Sequence, residues 1–228
     1  MLSEIFKLFW KTVERKDARR INSQTPPTEI EQFCDIQYID DGLWQHRLDV
    51  YSKSGKLSHR PVIIDIHGGG WMYGTKEINK NYCLVLAQND YVVVNINYRL
   101  APDFSVADQL RDCFFAFKWV STNIEKYGGD LNNVFVTGDS AGGFLAAYSA
   151  LLNSSEKLRK IFGVTESGLE FRACGLTSPV CFMNTHTFQD VYYSRVKGKE
   201  FSESTLRGFE NFDAVLNKGS MPPTFLVT

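Results

Sequence analysis

The sequence predicts an α/β fold with a mostly parallel central sheet and helices on both faces of that sheet. Two segments, residues 61–67 and 91–98, are dense in β-branched residues, which is typical of strands buried on both sides. A third such segment, residues 133–138, follows a stretch of helical periodicity. Since strands and helices alternate here, we expect parallel strands joined by right-handed crossovers.

Residues 1–30 are predicted to form an N-terminal helix and a linker that contribute to a cap. The apolar side chains of the helix share one face, made of Leu2, Ile5, Phe6, Phe9 and Val13. We expect this face to pack on the chain's own domain, with a position on a membrane surface as the alternative. A secretory signal is not expected, because an acidic residue interrupts the start and no small-residue cleavage site follows.

Residues 31–228 are predicted to form the core of the domain. Alternating polarity in residues 33–40 and 46–52 predicts an antiparallel pair of half-buried strands. The later elements are the three buried strands, helices near 76–90, 106–120 and 141–153, and strands at 171–179 and from Thr224 onward. Residues 182–220 are polar, aromatic and irregular, so we interpret them as a cap insertion over the sheet.

The composition excludes several classes of protein. Lys and Arg number 25 against 26 Asp and Glu, so no basic surface indicates a nucleic-acid partner. No apolar segment approaches the roughly 20 residues of a membrane span. The five cysteines form no metal-binding pattern, and we expect them to be small buried side chains in a reducing, cytoplasmic environment. We predict no metal site, and the sequence leaves the oligomeric state open.

The segment Gly138-Asp139-Ser140-Ala141-Gly142 fits the pattern G-x-S-x-G. This pattern is typical of a strained turn between a strand and a helix that lifts a serine hydroxyl clear of the sheet. The flanking glycines avoid a collision where the chain doubles back. A serine that merely caps a helix is the alternative, and the buried strand before Ser140 and the small-residue helix after it favour a nucleophile.

The segment HGGGW, residues 67–71, follows another buried strand. Three successive glycines are suited to backbone amides that must approach a ligand closely. A phosphate cradle is disfavoured, because neither common glycine-rich phosphate motif is present. We therefore predict an oxyanion hole formed by the amides of Gly68, Gly69 and Ala141. His67 is expected to hold this loop by a local hydrogen bond.

Together, HGGGW, NYRLAP (97–102), YGGD (127–130) and GDSAGG (138–143) resemble the hormone-sensitive-lipase-like branch of the α/β-hydrolase fold. The resemblance covers residues 35–180 and the final MPPTFLVT. It implies that Ser140 is the nucleophile and that Gly68, Gly69 and Ala141 form the oxyanion hole. It further implies hydrolysis of small or short-chain acyl esters without a cofactor, under a helical cap.

The catalytic acid and base are not expected within these 228 residues. The resemblance implies an acid just after the strand begun by TFLVT and a histidine later still, so we expect the C-terminal strand and helix portion of the fold to be missing from this chain. His186 and Asp190 are spaced for a helical pair rather than for catalysis. Asp213 precedes the last strand and is not expected to act either. We therefore expect the chain alone to be inactive or very weak.

Substrate contacts are predicted for Trp71 and Tyr73, which follow the glycine loop. Aromatic residues of the insertion could line an apolar acyl pocket with them, namely Phe182, Phe188, Tyr192 and Tyr193. The expected partner is a small-molecule ester. Two alternatives remain open on this fold: a non-catalytic protein that binds small molecules, and an amidase or peptidase.

Overall fold

The computed structural model describes residues 2–55, 59–183, 189–203 and 206–228. The α-helices are α1 (Leu2–Asn22), α2 (Lys80–Gln88), α3 (Val106–Asn123), α4 (Ala141–Ser154), α5 (Glu156–Phe162), α6 (Gln189–Glu203) and α7 (Asp213–Leu216). The strands are β1 (Ile30–Gln37), β2 (Arg47–Lys53), β3 (Arg60–Ile66), β4 (Val92–Ile96), β5 (Gly129–Asp139), β6 (Phe171–Thr177) and β7 (Thr224–Val227).

All of these strands belong to one sheet, in the order β1-β2-β4-β3-β5-β6-β7. Strand β2 pairs antiparallel with both β1 and β4, whereas the pairs from β4 across to β7 are parallel. The predicted mostly parallel sheet with an antiparallel N-terminal strand pair is therefore confirmed. Strand β3 lies at the centre, next to the strand that leads to Ser140.

Helices cover both faces of this sheet, as predicted. Val92 and Val94 of β4 point into the larger apolar core, which includes Phe114 of α3 and Leu145 of α4. Val93 points to the opposite face, where it packs in a second cluster with α2. This alternation follows from the two-residue period of a strand.

One helix lies where the sequence analysis placed nothing. The Ser155 side chain accepts a hydrogen bond from the amide of Leu158, which caps the start of α5. Gly163 follows the helix in the left-handed region, with φ 65°, and ends it. A capping serine and a terminal glycine with seven residues between them were the local signals for this short helix.

The buried face of α1 differs from the predicted one. Trp10 stacks on Tyr73 with ring centroids 5.3 Å apart, and Phe6 meets Tyr192 edge to face. Phe9 is 55% exposed, which contradicts its predicted place on the packed face. The reason is that Phe6 and Trp10 lie four residues apart on one helical face, while Phe9 is turned about 100° from Trp10. No helix in the described part of the chain is suited to crossing a bilayer.

The cysteines follow the prediction only in part. All five are free thiols. Cys83, Cys113 and Cys174 are buried as small core side chains, as expected. Cys34 is exposed, because it lies on the edge strand β1 where the pairing with β2 is irregular.

A buried ionic cluster fastens the segment after β4 to α3. Arg99 donates to both oxygens of the fully buried Asp112. His46 Nε2 lies 3.1 Å from Asp112 Oδ1, and His46 Nδ1 lies 2.7 Å from Asp41 Oδ2. The buried carboxylate is thus compensated by two basic side chains, which a desolvated charge requires.

The cluster predicts a pH dependence of stability. Burial lowers the pKa of His46, but Asp112 and Asp41 outweigh burial and raise the pKa above its ordinary value of 6.5. Because the folded state raises the pKa of His46, the protonated ring stabilises the fold. This contribution to the free energy of unfolding is complete below about pH 6.5 and is lost as pH rises through the folded-state pKa. In urea unfolding, His46→Gln should therefore cost more stability near pH 6 than near pH 9. His59→Gln, an exposed control, should cost little at either pH, and a cost for His46→Gln that does not change with pH would contradict the prediction.

Candidate active site

Ser140 occupies a strained corner between β5 and α4. Its backbone has φ 50° and ψ −114°, outside the regions that ordinary residues prefer. Its amide donates to the carbonyl of Thr177 at 2.8 Å, which ties the corner to the end of β6. The Ser140 side chain makes no capping hydrogen bond to α4. The alternative of a serine that only caps a helix is therefore wrong.

Gly142 allows the corner to sit directly against strand β3. A Cβ at this position would overlap the carbonyl oxygen of Ile66 and lie 2.5 Å from that of His67. Both obstacles are backbone atoms at the end of β3, so they cannot turn aside. Since Ile66 is also paired with Gly138 in the sheet, the serine corner and the loop after β3 lie side by side.

The triple-glycine loop is held from two sides. His67 Nδ1 lies 2.7 Å from the carbonyl of Gly68, and Tyr98 donates its hydroxyl hydrogen to the carbonyl of His67. Burial lowers the pKa of His67 to about 4, so its ring is neutral near pH 7 and donates from Nδ1. His67 thus bonds within the loop, as expected. Gly70, with φ 57°, has no room for a Cβ, which would overlap the ring of Trp10.

One of the predicted oxyanion donors already has a protein partner. The Gly68 amide donates to Asp139 Oδ1 at 2.9 Å. Asn79 Nδ2 donates to the same oxygen and also to Asp65 Oδ2, both at 2.9 Å. In the described part of the chain, the Gly69 amide has no such partner. The Ala141 amide begins α4 and has no acceptor within the helix.

A cavity of about 370 Å³ opens onto Ser140. Gly68, Gly69 and Tyr73 line it together with the serine, so the structure brings these predicted site residues into one place. Ala141 is fully buried directly after Ser140. The other lining residues are Gly70, Ile78, Asn79 and Asp139, with Trp10, Val13, Asp17 and Arg20 from α1.

Trp71 and Tyr73 occupy different surroundings. Trp71 is 1% exposed and packs edge to face on Phe144 in the core, so it lies away from the cavity lining. The Tyr73 hydroxyl lies 3.3 Å from Asp17 Oδ2 across the cavity wall. Burial, followed by the charge of Asp17, raises the pKa of Tyr73 to about 12, so the hydroxyl stays protonated.

The aromatic residues of the predicted insertion contribute unequally. Tyr192 donates its hydroxyl hydrogen to the carbonyl of Gly70, and Tyr193 packs on Trp71. Phe182 is 53% exposed. His186 and Phe188 lie outside the described residues.

Several residues of this site were not predicted from the sequence, among them Trp10, Asn79 and Asp139. Asp139 lies inside the G-x-S-x-G pattern, directly before Ser140. Trp10 lies four residues after Phe6, on the same helical face. Asn79 carried no comparable signal, because its partners are 14 and 60 residues away.

A family model described as BD-FAE matches residues 48–189, more than half of the chain and all of the elements that form the serine corner and the glycine loop. The chain belongs to the BD-FAE family. Among solved structures, it resembles esterase B from Lactobacillus rhamnosis with a TM-score of 0.92 and 30% identity, over 99% of this chain and 73% of that one. The fold is thus that of an α/β-hydrolase esterase.

Two curated relatives extend the comparison of this BD-FAE family member. Isoprenylcysteine alpha-carbonyl methylesterase ICME of Arabidopsis thaliana is 28% identical over 192 residues, which are 80% of this chain and 45% of that protein. Arylacetamide deacetylase of Oryctolagus cuniculus is 46% identical over 130 residues, which are 54% of this chain and 32% of that protein. The chain therefore spans less than half the length of either relative.

The burial of Asp65 predicts a second pH dependence of the free energy of unfolding. Here burial itself raises the pKa, whereas for His46 the neighbouring carboxylates raise it. Complete burial raises the pKa of Asp65 to about 7, which favours the neutral acid in the folded state. Stability is therefore lost as pH rises from about 4 through about 7. Asp65→Asn keeps an acceptor for Asn79 and removes this loss, so the variant should gain on the order of 2–4 kcal/mol relative to wild type between pH 5 and pH 8.

Chemical denaturation at the two pH values measures this gain. Asp103→Asn, an exposed control, should follow the wild-type profile. Parallel pH profiles for wild type and Asp65→Asn would show that Asp65 does not carry the effect.

Proposed function

We propose that this chain supplies the nucleophile and the oxyanion hole of a carboxylesterase-type serine hydrolase. The observation that carries the proposal is the strained Ser140 corner, which opens onto the same cavity as the glycine loop. A serine held at φ 50° without a capping role is costly, and such strain is typical of functional positions. The relationship to esterase B supports the same class of reaction.

In the proposed reaction, Ser140 Oγ attacks the carbonyl carbon of an ester. The carbonyl oxygen gains the negative charge, and the amides of Gly69 and Ala141 donate to it, helped by the positive end of α4. Each such donor is worth about 3 kcal/mol of transition-state stabilisation. The Gly68 amide, bonded to Asp139, instead positions the loop. The general base takes the Ser140 hydroxyl proton during the attack and gives it to the alcohol as the ester C–O bond breaks. Water then adds to the acyl-enzyme, giving up a proton to the same base, and releases the acid as the serine hydroxyl is restored.

The general base is proposed to lie beyond residue 228. Among the described histidines, His67 bonds to its own loop and His46 lies between two aspartates, and neither these nor His59 bonds to Ser140. Without a base the serine hydroxyl stays protonated and is a poor nucleophile. Residues 1–228 alone should therefore react slowly, with the residual acceleration of about 10³-fold that oxyanion binding provides.

Small or short-chain acyl esters are the proposed substrates. The cavity at Ser140 measures about 370 Å³, and the stacked rings of Trp10 and Tyr73 form part of its wall. One structure of esterase B is described with a C4-C4 tributyrin phosphonate, a short-chain inhibitor. Both observations favour a short acyl group next to the serine.

A fluorophosphonate probe tests the nucleophile. The complete protein should be labelled at Ser140, Ser140→Ala should lose the label, and the exposed control Ser23→Ala should keep it. Peptide mapping by mass spectrometry locates the adduct. Equal labelling of the complete protein and of Ser140→Ala would rule the proposal out.

Amide hydrolysis is a second candidate, favoured by the similarity to arylacetamide deacetylase. The same serine and amides serve an anilide, but its leaving group has to be protonated. We expect the complete protein to cleave phenyl acetate at least 100-fold faster than acetanilide. Faster cleavage of the anilide would make the protein an amidase, and ligand binding without turnover of either compound would make it a non-catalytic binder.

A further inference from the structure

The helix α1 has two faces with different surroundings. Its inner face, with Trp10, Val13 and Asp17 at spacings of three and four residues, lines the cavity at Ser140. The opposite side of the helix is exposed. We call it the outer face of α1 and define it by six residues that share this side, namely Leu8, Phe9, Thr12, Arg15, Lys16 and Arg19. The reaction proposed above uses none of them.

The first part of the outer face is apolar. Leu8 is 68% exposed and Phe9 is 55% exposed, although leucine and phenylalanine are among the residue types that most often lie buried. Val191 of α6 adds an exposed apolar side chain on the neighbouring helix, since the residue after it, Tyr192, meets Phe6 of α1 edge to face. A group of neighbouring exposed apolar side chains is typical of a surface that associates with a protein or a membrane.

The second part of the outer face is basic. Arg15, Lys16 and Arg19 are exposed, and none of them pairs with a carboxylate in the described part of the chain. Over its whole length α1 carries six basic residues against three acidic ones, whereas the entire chain has a net charge of -1. Positive charge is therefore concentrated on this helix.

The acidic side chains near α1 do not cancel this charge. Asp17 lies on the inner face and pairs with Arg20 at 3.2 Å. Glu77, which follows the glycine loop, lies 2.9 Å from the ammonium group of Lys76. Glu14 lies in the wall of a cavity beside α1, away from the outer face. Between its first leucine and its last arginine, the outer face thus contains three positive charges and no negative one.

We propose that the outer face of α1 binds the surface of an anionic phospholipid membrane, with the helix lying flat in the interface. Apolar side chains beside lysines and arginines are typical of helices that bind in this way. Leu8 and Phe9 enter the boundary of the acyl chains, and the basic side chains attract the headgroups, each strengthening binding about fivefold. A nucleic acid would match the charge but would leave both apolar side chains without a partner.

Binding in this orientation brings the cavity at Ser140 close to the lipid. The cavity lies on the inner face of α1, so about one helix diameter, roughly 10 Å, separates it from the headgroups. An uncharged apolar ester dissolved in the membrane then has a short path to the serine. The proposal concerns a surface outside the reacting groups, so it stands independently of the function proposed above.

Vesicle binding by the complete protein tests the proposal. Sedimentation of sucrose-loaded vesicles measures the partition coefficient for pure phosphatidylcholine and for a mixture in which about one third is phosphatidylglycerol. We expect the protein to bind the mixed vesicles about tenfold more tightly or better. This preference should disappear in about 0.5 M salt, because salt screens exposed charges.

Substitutions on the outer face locate the contact. The triple variant Arg15→Gln, Lys16→Gln and Arg19→Gln removes its charge. The double variant Leu8→Ser and Phe9→Ser removes its apolar part. Each of these two variants should bind the mixed vesicles about tenfold more weakly than wild type, or worse.

Each variant has a matched control elsewhere on the surface. Replacing Arg47, Lys118 and Lys157 by Gln removes the same charge from exposed positions. Replacing Trp44, which is 51% exposed, and Leu216, which is 44% exposed, by Ser removes comparable apolar side chains. Both controls should bind the mixed vesicles as wild type does. Circular dichroism and thermal unfolding show which variants are folded, and two independent outer-face variants keep the test valid if one of them fails to fold.

The proposal is overturned if the complete protein binds neither kind of vesicle, if it binds both equally well, or if the folded outer-face variants bind like their controls. Analytical ultracentrifugation tests a second copy of the chain as the occupant, and we expect the double variant to keep the oligomeric state of wild type. A wild-type dimer that becomes a monomer in the double variant would assign the outer face to a protein interface and overturn the membrane proposal. Fluorophosphonate labelling of Ser140 is a separate readout, so loss of either proposal leaves the other standing.

Discussion

The close approach of Gly142 to the end of β3 is the constraint on which the site depends. Because no side chain separates α4 from the carbonyl of Ile66, the helix begins directly beside the strand. The serine before it is thereby forced into a left-handed corner, next to the triple-glycine loop that continues from β3. Any larger residue at Gly142 would displace Ser140 and the triple-glycine loop from each other.

Asp139 ties the two segments of the site together after the backbone has brought them close. Its carboxylate accepts from the Gly68 amide and from Asn79, and Asn79 in turn bonds the buried Asp65. The side-chain amide of Asn79 thus donates hydrogen bonds to two carboxylates, whose desolvation would otherwise be costly. On this account, Asp139 positions the loop so that the neighbouring amide of Gly69 remains available to a ligand.

Local signals in the sequence predicted the sheet and the position of the Ser140 corner. Buried strands follow from β-branched runs, and the Ser140 corner follows from glycines and a strand–helix boundary within ten residues. The occupied Gly68 amide could not be predicted, because its partner is 71 residues away and depends on how β5 lies against β3. The exposed Phe9 was missed for a similar reason, since periodicity gives the faces of α1 but not the site of Tyr73, which decides which face is buried.

A crystal structure of the complete protein with a phosphonate bound covalently to Ser140 tests the central claim most directly. The account predicts that the phosphoryl oxygen lies about 3 Å from the amides of Gly69 and Ala141. It also predicts that the Gly68 amide stays bonded to Asp139. A phosphoryl oxygen turned away from both amides, or a Gly68 amide that leaves Asp139 to bind that oxygen, would contradict the account.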